Sequence, residues 1–153
     1  IVVSVESSSV IPGVAQGEGP VIRTGDAAST FDAGAEKMLI TARGALRDRD
    51  PEFRSQRQLM SGGVCEATAF AAFGYLVTGL AFPLGNYHNS TTKIGDPEGG
   101  VAAEYIELSD YLGGVDLLTE AARSAARPDD ASPRRLMGDV PDEVRRRLGE
   151  TTW

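Results

Sequence analysis

The chain has 153 residues, 41% of them hydrophobic and 24% charged, which excludes a wholly disordered chain and fits one domain with a tail. Lys+Arg 15 against Asp+Glu 22 leaves a net charge of −7, which argues against a nucleic-acid phosphate backbone as partner. The single cysteine excludes an internal disulfide, and no apolar run reaches the roughly 18 residues of a membrane span.

The first residues, IVVSVESSSV, lack the basic start of a signal peptide, and a cytoplasmic location is expected. There is no Met at position 1 and the chain opens inside an apolar run, so we expect a piece of a longer protein. Residues 1–5 are continuously apolar and read as an interior strand covered on both faces. A Ser/Gly/Pro-rich loop over 7–20 leads to a short strand at 20–24, PVIRT, closed by a Gly25-Asp26 turn. Residues 33–48 predict a helix with Asp32 as N-cap and Ala35, Met38, Leu39, Ala42 and Leu46 on one face. Asp50-Pro51 ends it. Residues 53–60 alternate weakly, as a strand would.

Next come a Ser61-Gly62-Gly63 turn, a helix over 65–73 stopped by Gly74, and a second apolar strand over 76–82. Pro83–Gly100 reads as a long polar loop. A second long helix is expected over 109–125, capped by Ser109, with Leu112, Val115, Leu118 and Ala122 buried. Gly113-Gly114 inside that helix predicts close packing against a neighbour. Residues 127–142 read as a linker before a short amphipathic helix at 142–149, so the expected division is 1–126 and 127–153. Strands alternating with helices give an α/β class.

Open α/β sheets bind ligands beyond the carboxyl ends of their strands. Glu6 follows the first apolar strand, and the segment after the second ends at His88, the only histidine. A carboxylate and an imidazole on one rim could share a metal ion, since both are good zinc ligands. The plainer readings are a solvated strand end for Glu6 and a loop histidine bonded to backbone for His88. Cys65 follows Gly62-Gly63 at a helix start, where a thiolate is favoured. With His88 and Asn86 or Asn89 it could form a Cys-His-Asn set, although a small buried residue at a tight turn is the commoner role. Glu66 is either a site carboxylate or simply a favourable charge in a first turn.

Several segments in order resemble one family. IVVSVESSSVIPGVAQGEGPVIRTGD, SGGVCEATAF, YLVTGLAFPLGNYHN and EYIELSDYLGGVDLLTEAA resemble the closing part of the catalytic domain of co-catalytic zinc aminopeptidases, the M42/M28/M20-like metallopeptidases. The resemblance spans roughly residues 1–125. It implies an open mixed sheet flanked by helices, the C-terminal part of a zinc-peptidase-like (phosphorylase/hydrolase-like) domain. It also implies that Glu6 and His88 are metal ligands in a centre of two zinc or cobalt ions, acting on peptide substrates. Gly62, Gly63, Cys65, Glu66 and Tyr87 would lie near the site. The chain departs from the family at Val64-Cys65-Glu66-Ala67, where many relatives have Thr-Asp-Ala after the glycines. The family's His-x-Asp motif, bridging Asp and Glu-Glu pair are absent here, so no catalytic residue is assigned and the general base is expected upstream.

Three functions follow as expectations. The first is a metallo-aminopeptidase portion that is inactive alone. The second is a thiol hydrolase using Cys65 and His88. The third is a non-catalytic α/β assembly domain whose contacts include Arg134, Arg135, Arg145, Arg146 and Arg147. A portion of a domain should also expose sheet edge and apolar surface, which predicts a homo-oligomer or pairing with a missing N-terminal segment.

Overall fold

A computed structural model describes residues 1–125 and 141–150. Five strands form one mixed sheet: β1 (Val2–Ser9), β2 (Val21–Arg23), β3 (Gln56–Gln58), β4 (Val77–Gly85) and β5 (Tyr105–Ile106). The strand order is β1-β4-β2-β3, with β5 pairing β4 near its end. β1 runs parallel to β4 with Val2 opposite Val77 and Ser9 opposite Leu84. β2 is antiparallel to β4 and parallel to β3. The helices are α1 (Ala33–Arg49), α2 (Glu66–Ala72), α3 (Leu108–Ser124) and α4 (Asp142–Glu150). The expected open mixed sheet flanked by helices is the architecture found.

β4 is central because its sequence, VTGLAFPLG, carries no charge and can be buried on both faces. Side chains alternate along a strand, so odd and even positions face opposite layers. On one face Leu80 meets Ile22 across the β4–β2 pair, and α1 and α3 cover them with Leu39, Ala42, Leu117 and Ala121. On the other face Val77 packs with Phe31 and Ala67, beside Val2, Cys65 and Ala71.

Local chemistry sets the helix ends. The Asp32 carboxylate accepts from the Ala35 N–H at 2.7 Å, and the Asp50 N–H donates to the Leu46 carbonyl at 2.8 Å. Ala35, Leu39 and Ala42 are fully buried, as their spacing predicts. Gly74 follows α2 with φ +83°, the left-handed conformation that ends a helix.

Four expectations need correction, and one strand carried no expectation. β1 is an edge strand, not an interior one: it pairs only β4 among the described residues, and Val5 remains 49% exposed. β1 also runs on to Ser9, because Glu6 through Ser9 find backbone partners on β4, so Glu6 lies inside the strand and not after it. Pro83 through Gly85 belong to β4; Pro83 falls between the stretch paired with β2 and the stretch paired with β5. The two-residue β5 has too little sequence to signal itself.

The last correction concerns α3. The position before it is Glu107, which makes no side-chain cap, and Ser109 is inside the helix. Its buried positions are Asp110, Gly114, Leu117, Glu120 and Ala121, while Leu112 and Val115 stay 52% and 43% exposed. The reason is contact on both sides of the turn. A Cβ on Gly114 would strike the Phe82 ring, so the helix backbone itself lies on β4. Asp110, fully buried, accepts from the N–H of Gly19 at 2.7 Å and of Gly17 at 2.9 Å. The expected close packing at Gly113-Gly114 is therefore found, and it rotates the helix away from its apolar stripe.

α4 shows surface ion pairs of Glu143 with Arg146 and Arg147, each at 2.9 Å. The expected linker at 127–142, with Arg134 and Arg135, lies outside the described residues but for its last two positions.

Asp110 ties the 16–19 loop to α3, so Asp110→Ala should cost about 3 kcal/mol in urea unfolding by leaving two N–H donors without an acceptor, and Asp110→Asn should cost less.

Candidate functional site

Glu6 lies opposite Ala81 in the β1–β4 pair, and Arg23 lies opposite Gly79 in the β2–β4 pair. Both side chains occupy the face that carries α2. Arg23 and Glu6 are therefore two strands apart with β4 between them, a span of about 10 Å. Small residues make the crossing possible. A Cβ on Gly79 would sit 3.0 Å from the Arg23 Cβ and 3.3 Å from the Phe31 ring, and Ala81 is the next residue on that face. The arginine crosses this floor and its Nε comes within 3.6 Å of Glu6 Oε1. Its Nη2 donates to the Ser8 hydroxyl on β1.

The pair is shielded from water: the Arg23 side chain is 3% exposed and that of Glu6 17%. Burial raises the Glu6 carboxyl above its ordinary value, against the pull of Arg23, with Glu66 and Asp26 adding to the rise. Burial likewise lowers the Arg23 guanidinium, against the support of Glu6. Glu6 Oε1, Arg23 Nε and Arg23 Nη1 are buried without a hydrogen-bond partner, so the pair is close but not fully bonded.

Asp26 follows β2 and holds the neighbouring corner. Its Oδ1 accepts from the N–H of Ala28 at 2.9 Å and of Ser29 at 3.0 Å. Its Oδ2 accepts from the Cys65 N–H at 2.9 Å and the Thr68 hydroxyl at 2.6 Å. Cys65 is at the N-cap of α2 but caps nothing with its own side chain, and Asp26 pins the start of the helix from a distant loop through the Cys65 N–H and the Thr68 hydroxyl. Burial raises the Asp26 carboxyl, but the four donors outweigh it and bring the pKa to about 2. Burial pushes the Cys65 thiol up; the Ala67 N–H opposes this, and Glu6 and Asp26 reinforce it. The expected thiolate at this helix start is thus corrected: a desolvated thiol beside two carboxylates is held protonated.

His88 sits elsewhere. It follows β4 in a short 3₁₀ turn, Tyr87–Asn89, on the exposed surface. Asn86, His88 and Asn89 have φ of 51°, 57° and 60°, a left-handed run that is costly for residues other than glycine. Side chains from the 102–104 region and its backbone hold this turn. The His88 N–H donates to Glu104 Oε1 at 2.8 Å, and the Asn86 amide donates to the Ala103 carbonyl at 2.8 Å. The His88 ring packs edge-on to Tyr87, centroids 4.1 Å apart. Along the parallel pair, His88 is seven residues past the level of Glu6. Gly62 is exposed, and the Gly63 carbonyl accepts from the Ala27 N–H at 2.9 Å, which ties the glycine turn to the Asp26 loop.

The structure thus brings Glu6, Arg23, Asp26 and Cys65 together and leaves His88 and Tyr87 on a separate loop. Sequence reasoning missed Arg23, Asp26 and Ser8. The signal available was one buried-strand arginine, in VIR, opposite a strand with Gly79 and Ala81 on one face. Metal ions fit the described residues poorly. No group of three or more His, Cys, Asp or Glu among them is placed to hold a metal. Asp26 is saturated by four donors, Glu66 is exposed, and Glu6 faces a cation.

Comparison with known proteins bears on the fold. No protein-family model and no curated protein matches the chain. Solved structures do. PhTET1-12s, described as a dodecamer, is 19% identical over 78% of this chain and 32% of its own, with a TM-score of 0.56. A TET aminopeptidase from a marine-sediment Thaumarchaeota archaeon is 18% identical over 77% of this chain and 30% of its own, TM-score 0.56. The chain is folded like part of a TET aminopeptidase. An aminopeptidase of the archaeon Desulfurococcus kamchatkensis agrees, at 21% identity over 85% of this chain and 37% of its own, TM-score 0.53. The TET-like fold here spans about a third of the length of these solved chains.

Because the folded Asp26 pKa of about 2 lies below its ordinary 3.8, the unfolded chain takes up the proton first on acidification. Its contribution should be complete above about pH 5 and fade towards pH 2. Unfolding free energies measured across that range should show a loss of about 2 kcal/mol that is missing in Asp26→Asn.

Proposed function

We propose that this chain is a portion of an aminopeptidase-type catalytic domain and hydrolyses no peptide by itself. The supporting observation is the fold shared with three solved aminopeptidases over most of this chain but about a third of theirs. The order of the sequence motifs, IVVSVESSSV to YHN to the last long helix, supports the same reading and its place in the closing part of such a domain.

In the whole protein the reaction we propose is metal-dependent hydrolysis of N-terminal peptide bonds, with zinc or cobalt supplied to a centre completed by other segments. The residue this chain would contribute is His88, exposed on a turn whose strain is typical of functional loops. Tyr87 would stand beside it. Self-association belongs to the same reading: PhTET1-12s is a dodecamer, and β1 leaves one edge unpaired over eight residues among those described. The thiol-hydrolase alternative gains nothing from the geometry, since Cys65 is held as a thiol and lies in the Asp26 cluster away from the His88 turn.

The isolated chain should release no product from aminoacyl p-nitroanilides above the blank, with zinc, cobalt or chelator present; metal-stimulated turnover would overturn the claim that it is inactive alone. Light scattering should give a mass above the monomer, and Val5→Lys on the open edge should lower it.

A further inference from the structure

We propose that the Arg23 guanidinium stands beside Glu6 in the place of a divalent cation, so that this face of the chain is closed to metal by an internal positive charge. The inference rests on the reading of the chain as a TET-like portion, in which an acid on this strand would otherwise be a metal ligand.

Three observations carry it. First, a cation of the protein itself stands beside Glu6, at 3.6 Å, and its side chain is 3% exposed. A buried carboxylate needs one opposite charge nearby, and a buried arginine needs the same. Each offsets the other's charge, and a divalent ion added between them would face repulsion from the guanidinium. Second, the arginine is built into place. Its backbone is paired on both sides, opposite Gly79 in β4 and Gln58 in β3. Its stem lies on Gly79, where any larger residue would lift it, and its far end is held by Ser8. Third, the other potential ligands are committed. Asp26 accepts four hydrogen bonds, from the N–H groups of Ala28, Ser29 and Cys65 and the Thr68 hydroxyl, and Glu66 is exposed. Glu6 Oε1, Arg23 Nε and Arg23 Nη1 are buried without a hydrogen-bond partner, so the pairing rests on charge and proximity.

The test uses the full chain and zinc alone, with competition against a chromophoric chelator and thermal unfolding as readouts. Wild type and Glu6→Gln should show zinc affinities equal within twofold. Arg23→Met should lower Tm by several degrees, and Glu6→Gln combined with Arg23→Met should recover at least half of that loss, because the unpaired carboxylate is then gone. Micromolar or tighter zinc binding to wild type that Glu6→Gln weakens tenfold or more would overturn the proposal. So would a double variant whose Tm loss equals the sum of the two single losses. Should Arg23→Met fail to fold, a folded double variant supports the pairing and an unfolded one overturns it. Peptidase activity is not a readout here, so failure of the aminopeptidase reading and failure of this inference are separate results.

Discussion

β4 is the strand on which the other layers depend. It is uncharged and buried, and it is the partner of β1 on one side and of β2 and β5 on the other. One face meets the α1–α3 layer through Leu80 and Phe82, and the other meets α2 through Val77. Its alternation of large residues on one face with Gly79 and Ala81 on the other makes the two faces different in kind. The large face takes helices as close as backbone contact at Gly114 allows. The small face leaves room for a long side chain to cross it.

That room is used by an arginine, and this shapes the chemistry of the whole α2 face. An ion pair placed out of water adds little stability relative to an apolar pair, but breaking it by removing one partner is costly. The Glu6–Arg23 pair therefore acts as a constraint on register: β1, β4 and β2 must be aligned for it to form. Asp26 extends the constraint to α2 from the loop after β2, accepting from the Cys65 N–H just before the helix and from the Thr68 hydroxyl within it. A polar cluster of this kind can be a catalytic centre or a structural brace, and its committed partners favour the brace. The His88 turn has the opposite character, exposed and strained, with its backbone held by a neighbouring loop.

Much of the fold was legible in the sequence because the signals were local. Asp32 before a 3.6-residue apolar repeat marked α1, and the apolar run at 76–82 marked the core strand. The positions that misled were those where a distant partner decides. β1 reads as an interior strand from IVVSV, yet its depth depends on how many neighbours the sheet supplies. α3 turns away from its own apolar stripe because Gly114 and Asp110 are held by β4 and by the 16–19 loop. Cys65 sits at a helix start as expected, but the charges around its thiol come from β1 and from the loop after β2.

The order of elements, the α/β class, the long helices and the likeness to an aminopeptidase were fixed by residues close together along the chain, since capping and periodicity act over a few positions. Which charge faces Glu6 was decided only by the tertiary structure. The arginine concerned is 17 positions away along the chain and reaches the acid across an intervening strand, a contact that exists only once three strands are in register.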